Sequence, residues 1–340
     1  MERVLSIQYL RGIAALLVVV FHTGVLVSAA GFRFPIGAAG VNVFFVISGF
    51  VMWITTANTR PWPFMRRRLV RIVPIYWLLT LVLAFVSTDG GLSLGLDATP
   101  GQLAGSLLFI AYQSQIDPVR VEPILQPGWT LNLEMLFYVI MAMALWFPRR
   151  LQPAAIAVPL LAMVAVGMSS GVQNPVAEFY CSPLLIEFLI GIGFGILWMR
   201  GYQQALTTGW CMAAAGMTFG LSVASLSMDA PRFGLSHGLA PGLVVLAALM
   251  AERSLRKWPI APLRLLGDAS YSLYLSHVIV LSLLAVISRH FSLPSIFVAV
   301  AAVLCCVLVA VPIYLGIERP MGRALSRWLT RPKRGLAGTM

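Results

Sequence analysis

Charge is scarce in this sequence. Of 340 residues, 24 are Lys or Arg and 12 are Asp or Glu, 11% in all, against roughly 25% in a soluble domain. Water is therefore not the solvent for most of this surface. Cysteine is nearly missing as well. Cys181, Cys211, Cys305 and Cys306 lie in apolar stretches without metal-ligand spacing, so they read as small buried hydrophobes. No disulfide framework, metal site or permanently bound cofactor is expected. No long polar linker divides the chain and no internal repeat is visible, which argues against a string of soluble domains.

Apolar residues fill the sequence instead: 59% of it is hydrophobic and the mean hydropathy is +0.87. That composition predicts an all-α, polytopic membrane bundle. Ten transmembrane helices are expected near 7–28, 38–57, 69–87, 129–147, 153–170, 181–199, 207–227, 236–250, 269–289 and 294–317. They form one domain over 1–329, followed by a basic, disordered tail at 330–340. Pro74, Pro241 and Pro312 fall in or near helix interiors, where they can kink the chain. The N-terminal apolar run is longer than a signal-peptide core and contains Arg11 and His22, which argues against cleavage.

The net charge of +12 does not point to nucleic acid, because the basic residues lie between apolar runs, where topology puts them. With the N-terminus in the cytoplasm, every Lys and Arg except Arg33, Arg120, Arg232 and Arg289 falls inside. This asymmetry places both termini in the cytoplasm. The long external segment is 88–128, with an apolar piece at Leu103–Tyr112; it is a candidate lid, an acceptor-binding element or a plain tether.

Ionisable residues inside apolar runs mark functional paths by default. Arg11 and His22 stand eleven residues apart on the first predicted helix. Eleven helical steps return to nearly the same face and rise roughly 16 Å. One helix thus carries a cation near one membrane face and an imidazole deep inside. The competing reading is a snorkelling Arg beside an incidental buried His.

The fourth helix opens Trp129-Thr130-Leu131-Asn132-Leu133-Glu134 and continues to Phe137-Tyr138. Entering from outside, it carries Glu134 roughly 8 Å down, to the depth expected for His22. A carboxylate there can fix the imidazole tautomer and stabilise the imidazolium; otherwise Glu134 is a buried acid capped by Asn132 or Tyr138. Asn42, near the same outer level, can donate to an acceptor sugar or bond to backbone. Ser48 and Gly49 read first as packing residues. Arg68 and Arg71 share a face of the third helix and, with Arg11, predict a cationic cytoplasmic mouth suited to a phosphorylated metabolite. On the ninth helix, Ser270, Tyr274 and His277 share a face; His277 reads as a structural hydrogen-bonding residue or a second catalytic one. Glu318-Arg319-Pro320 reads as a local cytoplasmic anchor.

Five of these elements occur in a telling order: Arg11-x10-His22, Phe44-Phe45-Val46-Ile47-Ser48-Gly49-Phe50, Arg68-x-x-Arg71-Ile72-x-Pro74, Trp129-Thr130-Leu131-x-x-Glu134-x-x-Phe137-Tyr138, and Ser270-Tyr271-Ser272-Leu273-Tyr274-Leu275-x-His277. Together they resemble the acyltransferase 3 family of integral membrane O-acyltransferases, over nearly the whole chain from Tyr9 to Pro320. The chain looks most like bacterial exopolysaccharide acetyltransferases of that family. The resemblance implies a ten-helix protein of the bacterial inner membrane that takes an acyl group, often acetyl from acetyl-CoA, to a carbohydrate. His22 would be catalytic with Arg11 as its paired motif residue, Glu134 would belong to the core site, and Arg68 and Arg71 would belong to the acyl-CoA side, where the cationic mouth read above adds Arg11. Many members carry Asp where this chain has Asn42, so one charge near the site is lost here.

The function expected is therefore acyl transfer from cytoplasmic acyl-CoA to a sugar hydroxyl of an exopolysaccharide or its lipid-linked precursor, in contact with the bilayer and with polysaccharide assembly machinery as a possible partner. Transport or flipping of a sugar–lipid, with the buried His and Glu relaying protons, is the rival of another class. The lack of a visible repeat weighs against it.

Overall fold

A computed structural model of the chain describes residues 4–27, 37, 39–88, 99–114, 117, 119–169, 171–201, 235–291 and 295–330. Among the described residues the architecture is helical, with an isolated bridge between Gln113 and Val121. The helices are α1 (Leu5–Val27), α2 (Ala39–Thr55), α3 (Pro61–Thr88), α4 (Pro100–Leu107), α5 (Gly128–Ala144), α6 (Gln152–Met168), α7 (Pro175–Tyr180) and α8 (Leu185–Met199). They continue with α9 (Leu235–Leu255), α10 (Ala261–Asp268), α11 (Ser270–Phe291), α12 (Ser295–Ile313) and α13 (Arg319–Thr330).

The chain forms a membrane helical bundle. Five described stretches are long and apolar enough to cross a bilayer: Leu5–Gly24, Pro61–Phe85, Pro175–Met199, Ser270–Ser288 and Phe297–Leu329. The apolar helices α2, α5 and α6 are shorter. Leu81, Phe85, Val158, Leu304 and Leu308 are among the large apolar side chains left exposed, as expected of surfaces that meet lipid rather than water.

Nine of the ten expected helices are present. The seventh, at 207–227, lies outside the described residues, as does the tail from 331 onward. The third starts at Pro61 and not at 69. Proline suits a first helical position, and the arginines that follow are good helix formers that a hydropathy threshold passes over. The expected helix at 181–199 starts at Leu185 as α8, and the short α7 precedes it, with Pro183 in the break between the two. His237 and His290 fall within α9 and α11. Pro74, Pro241 and Pro312 all lie inside helices.

Beyond α12 the chain does not stop. It loosens into a π turn over Tyr314–Glu318 and runs on as α13. Pro320 has no N–H to give to the carbonyl of Gly316, and a widened turn accommodates that loss.

The helix α1 is the hub: its principal neighbours are α2, α9, α10, α11 and α12, and α5 is not one of them. Glycine sets the closest crossings. A Cβ on Gly49 of α2 would collide with the backbone of Phe188, and one on Gly191 of α8 with the carbonyl of Val46, so α2 and α8 touch backbone to backbone. This bears out the packing reading of Gly49. The core beside them is aromatic: Phe137 stacks on Phe188 with centroids 4.3 Å apart, and Phe45 lies 4.9 Å from Phe188.

The described residues between Thr99 and Pro127 fold onto the bundle. Thr99 and Gln102 form a capping box at the start of α4, satisfying backbone donors that would otherwise lack partners. Trp77 Nε1 donates to Leu107 O, and Ala111 N to the Tyr180 hydroxyl. Phe109 takes a φ of 58°, uncommon for an aromatic residue; its buried ring stacks on Tyr76 with centroids 4.9 Å apart. Leu108 and Ile110 on either side are exposed.

Candidate active site

His22 sits in the last turns of α1 beside a second histidine. Its Nδ1 lies 2.9 Å from Val18 O and 3.3 Å from His277 Nε2. The two rings are 4.9 Å apart, tilted by 59°. His277 is completely buried on α11, and its own Nδ1 lies 2.6 Å from Tyr274 O. Phe21 packs edge-on against the His22 ring at 5.1 Å.

Glu134 is not at this level. Its Oε1 accepts from Ser48 Oγ at 2.8 Å and from Tyr138 OH at 2.5 Å. The glycines fix the depth. Gly40 of α2 abuts Ala14 and Val18 of α1, so Ser48, eight residues on, lies roughly 12 Å further toward the Arg11 end. Glu134 accordingly stands among arginines, within electrostatic reach of Arg11 and Arg68. The expected His22–Glu134 pair does not form. The cause is the start of α5: Gly128 is buried beneath the folded segment, against Tyr76 and Pro123. The helix begins inside the protein, not at the membrane face, and delivers its carboxylate deeper.

At that end the bundle holds a cavity of about 1200 Å³, lined by Arg11, Arg67, Arg71, Arg264, Arg319, Arg323 and Arg327, against the carboxylates of Asp268 and Glu318. Its volume exceeds the roughly 300–1,000 Å³ of a pocket for a drug-sized ligand. The expected cationic mouth is present with altered membership. Arg67, not Arg68, accompanies Arg71 on the wall: four helical steps bring Arg67 to about 40° from Arg71, whereas three leave Arg68 about 60° away on the other side. Arg68 turns inward, its guanidinium 5.7 Å from the centre of the Phe64 ring, and its buried Nε has no partner. Arg66 reaches the carbonyl of Leu329 and ties α3 to α13.

The expected anchor Glu318-Arg319-Pro320 is corrected too. Glu318 accepts from Ser272 Oγ at 2.5 Å and faces Arg11 and Arg71; both Glu318 and Arg319 line the cavity. Gln8 Nε2 donates to Asp268 Oδ1 at 2.7 Å on the same wall.

The remaining polar candidates are spread through the bundle. Asn42 Nδ2 donates to Glu187 Oε1 at 2.5 Å, a side-chain partner in place of the backbone or sugar expected. Glu187 was missed at the sequence level, although an acid at Leu185-Ile186-Glu187-Phe188 in an apolar run was a visible signal. It is buried, and its Oε2 has no partner. Trp129 packs edge-on at 6.4 Å from Phe179. Asn132 is buried with its Oδ1 unpartnered, and so is the Ser270 hydroxyl. Tyr138 is bonded to Glu134, and Tyr274 OH meets Thr130 Oγ1 at 2.9 Å. Tyr274 and His277 are adjacent, with ring centroids 5.9 Å apart.

One membrane helix thus joins an arginine-lined cavity to an imidazole above it, and the sequence pattern of an acyltransferase domain, acyltransferase 3, matches residues 4–315. The chain belongs to the acyltransferase 3 family. Curated relatives agree. The exopolysaccharide production protein ExoZ of Rhizobium meliloti (strain 1021) is 35% identical over 313 residues, covering 91% of this chain and 96% of the relative. The putative membrane-bound transacylase BcsY of Komagataeibacter xylinus is 28% identical over 300 residues, 80% of this chain and 71% of the relative. No solved structure matches the chain significantly. All five acyltransferase 3 motifs read from the sequence fall inside the matched region.

Proposed function

We propose that this membrane acyltransferase moves an acyl group, acetyl in the simplest case, from cytoplasmic acyl-CoA to a sugar hydroxyl of an exopolysaccharide or its lipid-linked precursor. In this reading ten helices cross a bacterial inner membrane as one domain over 1–329, with both termini in the cytoplasm. The observation that carries it is the pairing on α1: Arg11 in the wall of the arginine-lined cavity and His22 roughly 16 Å above it. A phosphorylated donor suits guanidinium forks, and an extended thioester arm reaches up from there. The names of the relatives, an exopolysaccharide production protein and a membrane-bound transacylase, support acyl transfer to a polysaccharide acceptor.

The chemistry starts from the lone pair of His22. As general base it takes the proton of the sugar hydroxyl while the oxygen attacks the thioester carbonyl. The carbon–sulfur bond then breaks, and the imidazolium returns the proton to the leaving thiolate, giving an ester and free CoA. A route through an acyl-imidazole uses the same nitrogen as nucleophile. Arg11, Arg67 and Arg71, on the cavity wall, supply positive charge for the donor phosphates, and Arg68, turned inward beside Phe64, adds its charge to the same field. Glu134, held by Ser48 and Tyr138, balances that charge. Trp129, Asn132 and Asn42 stand nearer the acceptor end.

The test compares cells with and without the gene, complemented by wild type or His22→Ala, and measures O-acyl substituents on the purified glycan. Loss of one substituent without the gene, restored by wild type and not by a membrane-inserted His22→Ala protein, is expected. Restoration by His22→Ala would overturn the reading.

A further inference from the structure

The two histidines have a hydrogen-bond direction written into their surroundings. A backbone carbonyl accepts and cannot donate. His277 Nδ1 faces Tyr274 O at 2.6 Å, so in the neutral ring Nδ1 carries the hydrogen and Nε2 carries the lone pair. His22 Nδ1 faces Val18 O at 2.9 Å, and the same logic puts its hydrogen on Nδ1. The contact of 3.3 Å between His22 Nδ1 and His277 Nε2 then has one sense: His22 donates, shared between Val18 O and the second imidazole. What remains is His22 Nε2, a bare lone pair. No described residue bonds it, and the His22 side chain is only partly buried, which leaves this nitrogen for a reactant.

We infer that His277 is a positioning residue: it fixes His22 as the Nδ1–H tautomer and aims the reactive Nε2 lone pair at the substrates. This rests on the proposed role of His22 and deepens it. In triads of known hydrolases a buried carboxylate does this job and also stabilises the imidazolium. Here the carboxylate of Glu134 lies at the arginine level, and a neutral ring takes the place beside the base. A neutral acceptor orients the imidazole without adding a counter-charge. His277 is suited to that: it is completely buried, its Nδ1 is engaged by its own helix, and Cys306 Sγ lies 3.9 Å from its backbone carbonyl. Its ring has no freedom to serve the substrates directly, which separates positioning from a second catalytic role.

The test has a spectroscopic arm and a kinetic arm. Protein with ring-15N histidine in lipid nanodiscs gives four pairs of imidazole nitrogen signals, one pair for each histidine, and His22→Asn identifies the pair of His22. The wild type should show His22 with a protonated Nδ1 and a bare Nε2. His277→Gln places an amide oxygen where the imidazole Nε2 stands and should keep that pattern. His277→Phe should replace it with a tautomer mixture. In acyl transfer, His277→Phe should lower kcat roughly tenfold or more with both KM values little changed, a share of what a well-placed base contributes. His277→Gln should recover most of that loss, which a merely space-filling role would not do. A wild-type His22 bearing its hydrogen on Nε2, or equal kcat losses in the Gln and Phe variants, overturns the inference. Full activity in His22→Ala would instead defeat the proposed role of His22, and is told apart because the wild-type spectrum does not depend on turnover.

Discussion

Ser48 on α2 and Glu134 on α5 meet through a hydrogen bond of 2.8 Å, and this contact sets the carboxylate among arginines and away from the imidazole. The Glu134 carboxyl lies within electrostatic reach of Arg11 and Arg68, beside the arginine-lined cavity. Breaking a buried charge arrangement by removing one partner is costly, because the opposite charge is left uncompensated.

Glu134→Gln is therefore expected to lower thermal stability by several degrees in the absence of donor, and CoA should restore most of the loss by supplying phosphate charge to the same arginines. Thermal unfolding in detergent with and without saturating CoA measures it. A loss that CoA does not reduce would show that Glu134 serves α2–α5 packing and not the arginines. The pH profile of turnover should follow wild type, since the carboxylate does not touch His22.

How much of this arrangement could be read from sequence differs residue by residue. The α1 stripe was plain, because helical periodicity needs no tertiary knowledge. Nine helices followed from hydropathy alone. The depth of Glu134 was misjudged because it depends on Thr99–Pro127 burying the start of α5, a tertiary event with no local signature. The partnership of His22 with His277 joins residues 255 apart, and one chain carries no sign of it. Arg319, Arg323 and Arg327 did repeat at one-turn spacing, but positive-inside topology explained them as well as a cavity wall did. Only the π turn at Tyr314–Glu318 and the placement of α13 against α3 turn them inward.

The Asn42–Glu187 pair answers a narrower question. Glu187 is buried with one oxygen bonded to Asn42 and the other unpartnered. A buried acid of this kind either accepts a bond or moves a proton. The geometry favours acceptance, because the amide of Asn42 can donate but cannot titrate. Glu187→Gln keeps an acceptor for that amide and should leave stability within about 1 kcal/mol and turnover near wild type. Glu187→Leu strands the amide and should cost about 1–3 kcal/mol. Denaturation midpoints and acyl-transfer rates in the two variants decide it. A Glu187→Gln protein that folds but loses turnover to the extent of His22→Ala would assign Glu187 a proton-handling role.

The charged face of α13 offers the clearest probe of donor binding. Arg319, Gly322, Arg323, Ser326 and Arg327 all line the cavity, at the spacing of a single helix face, while Trp328 is exposed on another side. This helix sets exposed arginines along the mouth of a cavity whose wall already holds Arg11, Arg67 and Arg71, so an entering anion meets positive charge from both sides. Replacing Arg319 and Arg323 together by Gln should raise KM for acyl-CoA roughly tenfold, equivalent to about 1.4 kcal/mol. KM for the acceptor and kcat should change little, because these residues stand far from His22. The effect should shrink as salt rises, since added ions screen the same field. Steady-state kinetics at two ionic strengths reads all three quantities. A double variant with unchanged donor KM at low salt would mean that the arginine face serves membrane topology and not the donor.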